Sequence, residues 1–127
     1  SNIERIVSPE WITKAVKTAE EVYVSPSIME YIRNLVCQTR NHSSISIGAS
    51  PRASIALLKG SKVKAAISGR DFVIPDDVKS LAHHVFEHRL ILKPDAEFEG
   101  KKVGLIVEEL LEETPIPEEE EDVGPPQ

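Results

Sequence analysis

An all-α fold, a bundle of four to five helices joined by short extended connections, is what this 127-residue chain predicts. Two observations carry that expectation. Helix starts are written out explicitly: serine followed by proline, at Ser8-Pro9, Ser25-Pro26 and Ser50-Pro51, sets a side-chain oxygen at the cap and a residue without an N–H in the first turn. Behind each start the aliphatic residues return every three or four positions, the period of a helix with one buried face. With three Phe, two Tyr and one Trp, aliphatic side chains have to fill the core, and at this length one domain is the default.

The first helix follows Ser8-Pro9-Glu10, with Ile12, Ala15, Val16 and Ala19 on its inner face. A second follows Ser25-Pro26 and turns Ile28, Ile32, Leu35, Val36 and Thr39 inward. The third runs from Ser50-Pro51 to Gly69, and its apolar and small residues spread around most of the circumference, as in a central helix contacted on several sides. Gly60 inside it lowers helix propensity by about 1 kcal/mol against Ala, so it either allows close packing or marks a weak point. Pro75-Asp76-Asp77 opens the fourth helix, with Val78, Leu81, Ala82 and Val85 inward, and residues 101 to about 113 form the fifth, with Val103, Ile106, Val107 and Leu110. Extended pieces are expected at 21–24, 72–74 and 90–92.

The net charge of −6 is unevenly placed: residues 108–122 hold nine acidic side chains and no basic one, whereas residues 1–107 hold 12 acidic against 15 basic. The segment from Glu118 to the end has no means of burying apolar area and reads as an acidic disordered tail over 118–127. Ser1-Asn2 reads as a remnant of tag cleavage, and residues 1–7 as that remnant and a linker. No apolar run approaches the length of a membrane span, so no membrane insertion is expected. The single Cys37 excludes an intramolecular disulfide and is expected to pack as a small apolar residue on the second helix, in a reducing compartment.

The stretch Ser46-Ile-Gly-Ala-Ser-Pro-Arg-Ala53 is the most informative in the chain. Ser50 caps a helix, Pro51 takes its first position, and Arg52 adds a full charge to the partial positive charge that free first-turn N–H groups present. Gly48 and Ala49 leave room for a ligand or another domain to approach the backbone. Read from the residues alone, this is an anion-facing helix start.

From Thr39-Arg40 through Ile47-Gly-Ala-Ser-Pro-Arg-Ala-Ser54, on through Gly69-Arg-Asp-Phe-Val-Ile-Pro-Asp-Asp-Val78 to His88-Arg89-Leu90, the chain closely resembles the C-terminal helical lid of the MoxR family of AAA+ ATPases. The resemblance runs from residue 8 to about residue 117, taken as the lid domain. It implies a helical bundle beside the nucleotide-binding core of a bacterial, cytoplasmic ring ATPase, often a hexamer, whose own core and neighbouring subunits are the lid's partners. Chaperone-like remodelling is implied too, with von Willebrand factor A domain proteins as frequent partners. Arg52 matches the sensor-2 residue, which reaches the ATP phosphates, and Gly48, Ala49, Ser50 and Pro51 would shape the helix start beside the nucleotide. No Gly-x-x-x-x-Gly-Lys-Ser/Thr string and no Walker-B run occur, so ATP and Mg²⁺ are expected to bind in a full-length parent and this chain to be inactive alone.

Other clusters read more simply. Arg52, Lys59, Lys62, Lys64 and Arg70 form a conceivable basic patch, but without interleaved aromatics and with a sequence pI near 5.2 no nucleic acid is expected. Arg70 itself is assigned a loop-side position without a phosphate role, a matched control for Arg52. His83, His84 and His88 lack a third metal ligand and suit the last turn of a helix, where they meet its dipole, so no metal is expected. Glu108, Glu109, Glu112 and Glu113 read as a solvated helix face. Two other functions stay open on the residues alone: a free-standing helical interaction module, and a nucleic-acid-binding domain.

Overall fold

The computed structural model describes residues 9–118. It contains six helices and two short strands: α1 (Pro9–Glu20), α2 (Pro26–Asn41), β1 (Ile45–Ile47), α3 (Pro51–Ile67), α4 (Pro75–Glu87), β2 (Ile91–Leu92), α5 (Pro94–Phe98) and α6 (Val103–Glu113). The expected helical bundle is present, with the fifth expected helix appearing as α6 and the single-turn α5 added before it. Ser8, the tag remnant and linker at 1–7, and residues 119–127 of the acidic tail lie outside the described residues, as do the side chains of Ile12 and Ala15.

Each helix buries the stripe its sequence can offer to a neighbour. On α2 the buried residues are Ile28, Tyr31, Ile32, Leu35, Val36 and Thr39, and Ser25 caps the helix by accepting the Ile28 N–H at 3.2 Å. Cys37 does not join them. One residue beyond Val36, it is turned about 100° off the stripe and stands exposed, which corrects the expectation that it packs. On α1, Ala19 is buried but Val16 is 49% exposed, because α1 packs chiefly against α3 and a single neighbour covers a narrower face than the periodicity suggests.

α3 is the central helix, touching α1, α2 and α4. Ala53, Leu57, Ser61 and Ala65, four positions apart, form its buried seam, while Ile55 and Ile67 remain more than half exposed on other faces. Gly60 proves to be a close-packing glycine: a Cβ there would sit 2.7 Å from Leu81 Cδ1 of α4. α3 ends in a turn through Gly69, whose φ of +79° suits glycine, with the Gly69 and Arg70 N–H groups donating to the Ala66 and Ala65 carbonyls.

The extended pieces pair as short bridges. Tyr23 and Phe72 form a parallel bridge through Tyr23 N–H to Asp71 O (2.8 Å) and Val73 N–H to Tyr23 O (3.0 Å). β2 pairs antiparallel with β1, Ile45 opposite Leu92 and Ile47 opposite Ile91. Ile45 and Leu92 turn into the core and Ile47 and Ile91 out of it.

α6 is tied to two elements by consecutive glutamates. Glu109 accepts from His42 Nε2 at 2.8 Å, and His42 must be the Nε2–H tautomer when neutral because its Nδ1 accepts the Ser44 N–H at 3.0 Å. Glu108 pairs with His83 of α4 at 2.6 Å. These two glutamates are therefore bridging groups at the helix surface, and His83 meets a carboxylate rather than the end of its own helix. That end is served by Arg89, whose Nη1 donates to the Val85 carbonyl at 2.9 Å.

Candidate functional site

The helix start at Ser50 is built from its own local chemistry. Ser50 has extended backbone angles and its Oγ accepts the Arg52 N–H at 3.3 Å, while its carbonyl accepts the Ala53 N–H at 2.9 Å. Pro51 occupies the first helical position and has no N–H to satisfy. The early amides are thus already engaged within the turn, which corrects the expectation of free first-turn donors. What faces outward is the side chain of Arg52: it is exposed and makes no hydrogen bond or ion pair among the described residues. A guanidinium held at a helix N-terminus and forked for bidentate binding suits phosphate oxygens.

The approach to that helix is fastened to the last turns of α2. Ala49, 1% exposed, donates its N–H to Thr39 Oγ1 at 2.9 Å and receives Arg40 Nε on its carbonyl at 3.3 Å. Thr39 Oγ1 in turn donates to the Val36 carbonyl at 2.6 Å, so one buried hydroxyl has both a fixed acceptor and a fixed donor. A Cβ at Gly48 would sit 2.9 Å from the Arg40 Cα, N and Cγ. The space left by the small residues is therefore filled by α2 of the same chain, which corrects the expectation that a ligand or second domain approaches there. Gly48 and Ala49 shape the helix start; Arg52 alone of the five residues presents a free charge. In the sequence Thr39 is an inward residue of α2 and Arg40 a part of the motif, and no sequence signal assigns either of them a bond to Ala49.

Arg70 is not the idle control it was expected to be. Its Nη1 and Nη2 each donate at 2.6 Å to the two carboxylate oxygens of Asp77, and Nη1 also donates to the Phe72 carbonyl at 3.1 Å. The Asp77 side chain is 2% exposed and Oδ2 further accepts the Ile74 N–H at 2.9 Å, capping α4 from its third position. The bond to Asp77 pushes the Arg70 pKa up from its ordinary value, against the opposing effect of burial. Of the remaining basic candidates, Lys62 caps the C-terminus of α1 through the Glu20 carbonyl at 3.2 Å. The basic residues are thus partly committed inside the domain.

Elsewhere the surface offers little chemistry. Two open clefts of about 650 and 600 Å³ flank residues 115–116, one against the start of α2 and one between α4 and α6, and neither is lined by Arg52. Among the described residues no three His, Cys, Asp or Glu side chains gather as a metal site, and no helix is long and apolar enough to cross a membrane.

Known proteins are similar to this chain. The chain is 38% identical to the uncharacterised protein YeaC of Bacillus subtilis over 115 residues, covering 91% of this chain and 36% of YeaC. It is 27% identical to the chaperone MoxR1 of Mycobacterium tuberculosis over 124 residues, covering 91% of this chain and 33% of that protein. A crystal structure from Cytophaga hutchinsonii, of a protein provisionally named an ATPase, superposes with a TM-score of 0.76 at 34% identity over 80% of this chain and 34% of its own. The chain thus spans about a third of the length of these relatives. The MoxR-type lid expected from the motifs is what these likenesses return, and the AAA lid domain family matches residues 37–110, from the end of α2 to the last buried leucine of α6. By that match and that fold, the chain belongs to the AAA lid domain family.

Proposed function

We propose that Arg52 is the sensor-2 arginine of a MoxR-type AAA+ ATPase, reaching from this lid to the phosphates of ATP bound in an adjoining core domain. The observation that carries the reading is the contrast within the site: a helix start engaged in internal bonds on every side, from which one exposed, unpartnered guanidinium projects. In that role Arg52 stabilises charge on the phosphoryl oxygens during hydrolysis and couples phosphate release to movement of the lid. The P-loop and the groups that hold Mg²⁺ belong to the core, which this chain does not contain.

The wider setting belongs to the same proposal: a cytoplasmic ring, often a hexamer in such motors, remodelling protein clients, with von Willebrand factor A domain proteins as candidate partners. The name of the M. tuberculosis relative supports the chaperone part of it. In a full-length protein carrying this lid, Arg52→Ala should lower ATP turnover by about 10²-fold, the usual effect of removing one preorganised charged donor. Steady-state phosphate release measures it, and unchanged turnover in the variant would remove the assignment.

A further inference from the structure

We propose that Thr39 is a positioning residue for Arg52: through one hydroxyl it fixes the loop from which α3 starts, and thereby the place from which the arginine reaches. The inference rests on the sensor-2 reading and deepens it, because it names a buried residue on a different helix as the group that sets the arginine's aim.

Three observations meet at this point. Thr39 is fully buried, and its Oγ1 is engaged twice, donating to Val36 O at 2.6 Å and accepting the Ala49 N–H at 2.9 Å. The first bond orients the hydroxyl hydrogen toward α2, which leaves the lone pair aimed at Ala49 and gives that bond a set direction. Second, the Ala49 carbonyl is held by Arg40 Nε, so both polar groups of a single residue are bound to adjacent residues of α2. Third, Gly48 lies so close to Arg40 that no side chain fits between them. The peptide units just before Ser50 are thereby fixed in position and orientation.

Ser50 follows without an intervening residue, and Arg52 is two positions further on, inside the first turn. The chain between the Thr39 bond and the arginine is too short to absorb a shift of the loop: displacing Ala49 by an ångström displaces the first turn of α3 with it. A group that must meet a transferring phosphoryl oxygen tolerates little such error, since misplacement by about 1 Å is enough to reduce a rate by about 10²-fold. Thr39 touches neither substrate nor reacting atoms in this scheme. Its effect passes entirely through Arg52.

The test uses the full-length protein that carries this lid and ATP as the probe. Thr39→Val keeps the shape of the side chain and removes the hydroxyl; Thr39→Ser keeps the hydroxyl and trims the methyl. Thr39→Val should lower kcat by about 10- to 100-fold with KM for ATP within about twofold, and Thr39→Ser should restore most of the rate. In an Arg52→Ala background, Thr39→Val should have no further effect on kcat, because the arginine it positions is already gone. The thermal transition of each variant checks that the lid is folded at the assay temperature.

Equal losses from Thr39→Val with and without Arg52 would overturn the inference while leaving the sensor-2 reading in place, as would failure of Thr39→Ser to rescue a folded protein. If Thr39→Val does not fold, Gly48→Ala, which forces the same loop away from Arg40, takes its place in the same double-variant comparison. Insensitivity of turnover to Arg52→Ala would overturn both readings together, which is how the two failures are told apart.

Discussion

Arg52 and Arg70 stand at opposite ends of α3, carry the same charge, and were close to interchangeable as letters in the sequence. At the N-terminal end the backbone is fastened, by Thr39, Arg40 and Ser50, and the guanidinium bonds to none of the described residues. At the C-terminal end the guanidinium itself does the fastening, locked in a bidentate pair with a buried carboxylate and bonded to the Phe72 carbonyl. The difference teaches that a positive charge at a helix end has no fixed meaning: its role is decided by whether a buried anion of the same domain can reach it. Where one can, the arginine is a staple; where none can, it is left available to something outside.

The comparison is broken most forcefully at Arg70. Arg70→Ala leaves the Asp77 carboxylate buried without its cation, and urea unfolding of the lid should show a loss of about 3–5 kcal/mol. A loss under about 1 kcal/mol would mean that water reaches Asp77 and that the two ends of α3 are alike. Ser50→Ala tests the held backbone at the other end: removing the acceptor for the Arg52 N–H should lower stability by about 1 kcal/mol, read in the same titration. The smallest effect belongs to Arg52→Ala, whose stability change should stay within about 0.5 kcal/mol, since the side chain is exposed and bonded to nothing described here. A larger loss would give Arg52 a structural partner and erase the contrast.

Both caps, Ser25 and Ser50, were legible because a cap is a bond between a side chain and backbone two or three residues away, and sequence alone specifies it. The buried stripe of α2 was legible for the same reason, since the helical period determines which residues share a face. The Arg70–Asp77 pair was not. It depends on the Gly69 turn folding residues 70–74 back over the start of α4, a three-dimensional fact that makes an apparently ordinary first-turn acid the partner of an apparently ordinary loop cation. The Thr39–Ala49 bond was hidden likewise, because Thr39 read as one more inward residue of α2 and its hydroxyl gave no signal of a distant partner. β1 and α5 are too short to carry a period of their own, although the proline of Lys93-Pro94-Asp95 is the usual mark of a helix start.

Midway along α3, the missing Cβ of Gly60 lets Leu81 of α4 close against the helix axis. α3 is 17 residues long, roughly 25 Å from end to end, and it is braced by α4 at its centre and by the Arg70–Asp77 pair beyond its far end. Mechanically this is a supported beam. Leu81 against Gly60 and Asp77 against Arg70 are two separate ties from α4, one at the middle of α3 and one just past its end. The smallest residue of α3 thus sets how closely the neighbouring helix can approach it.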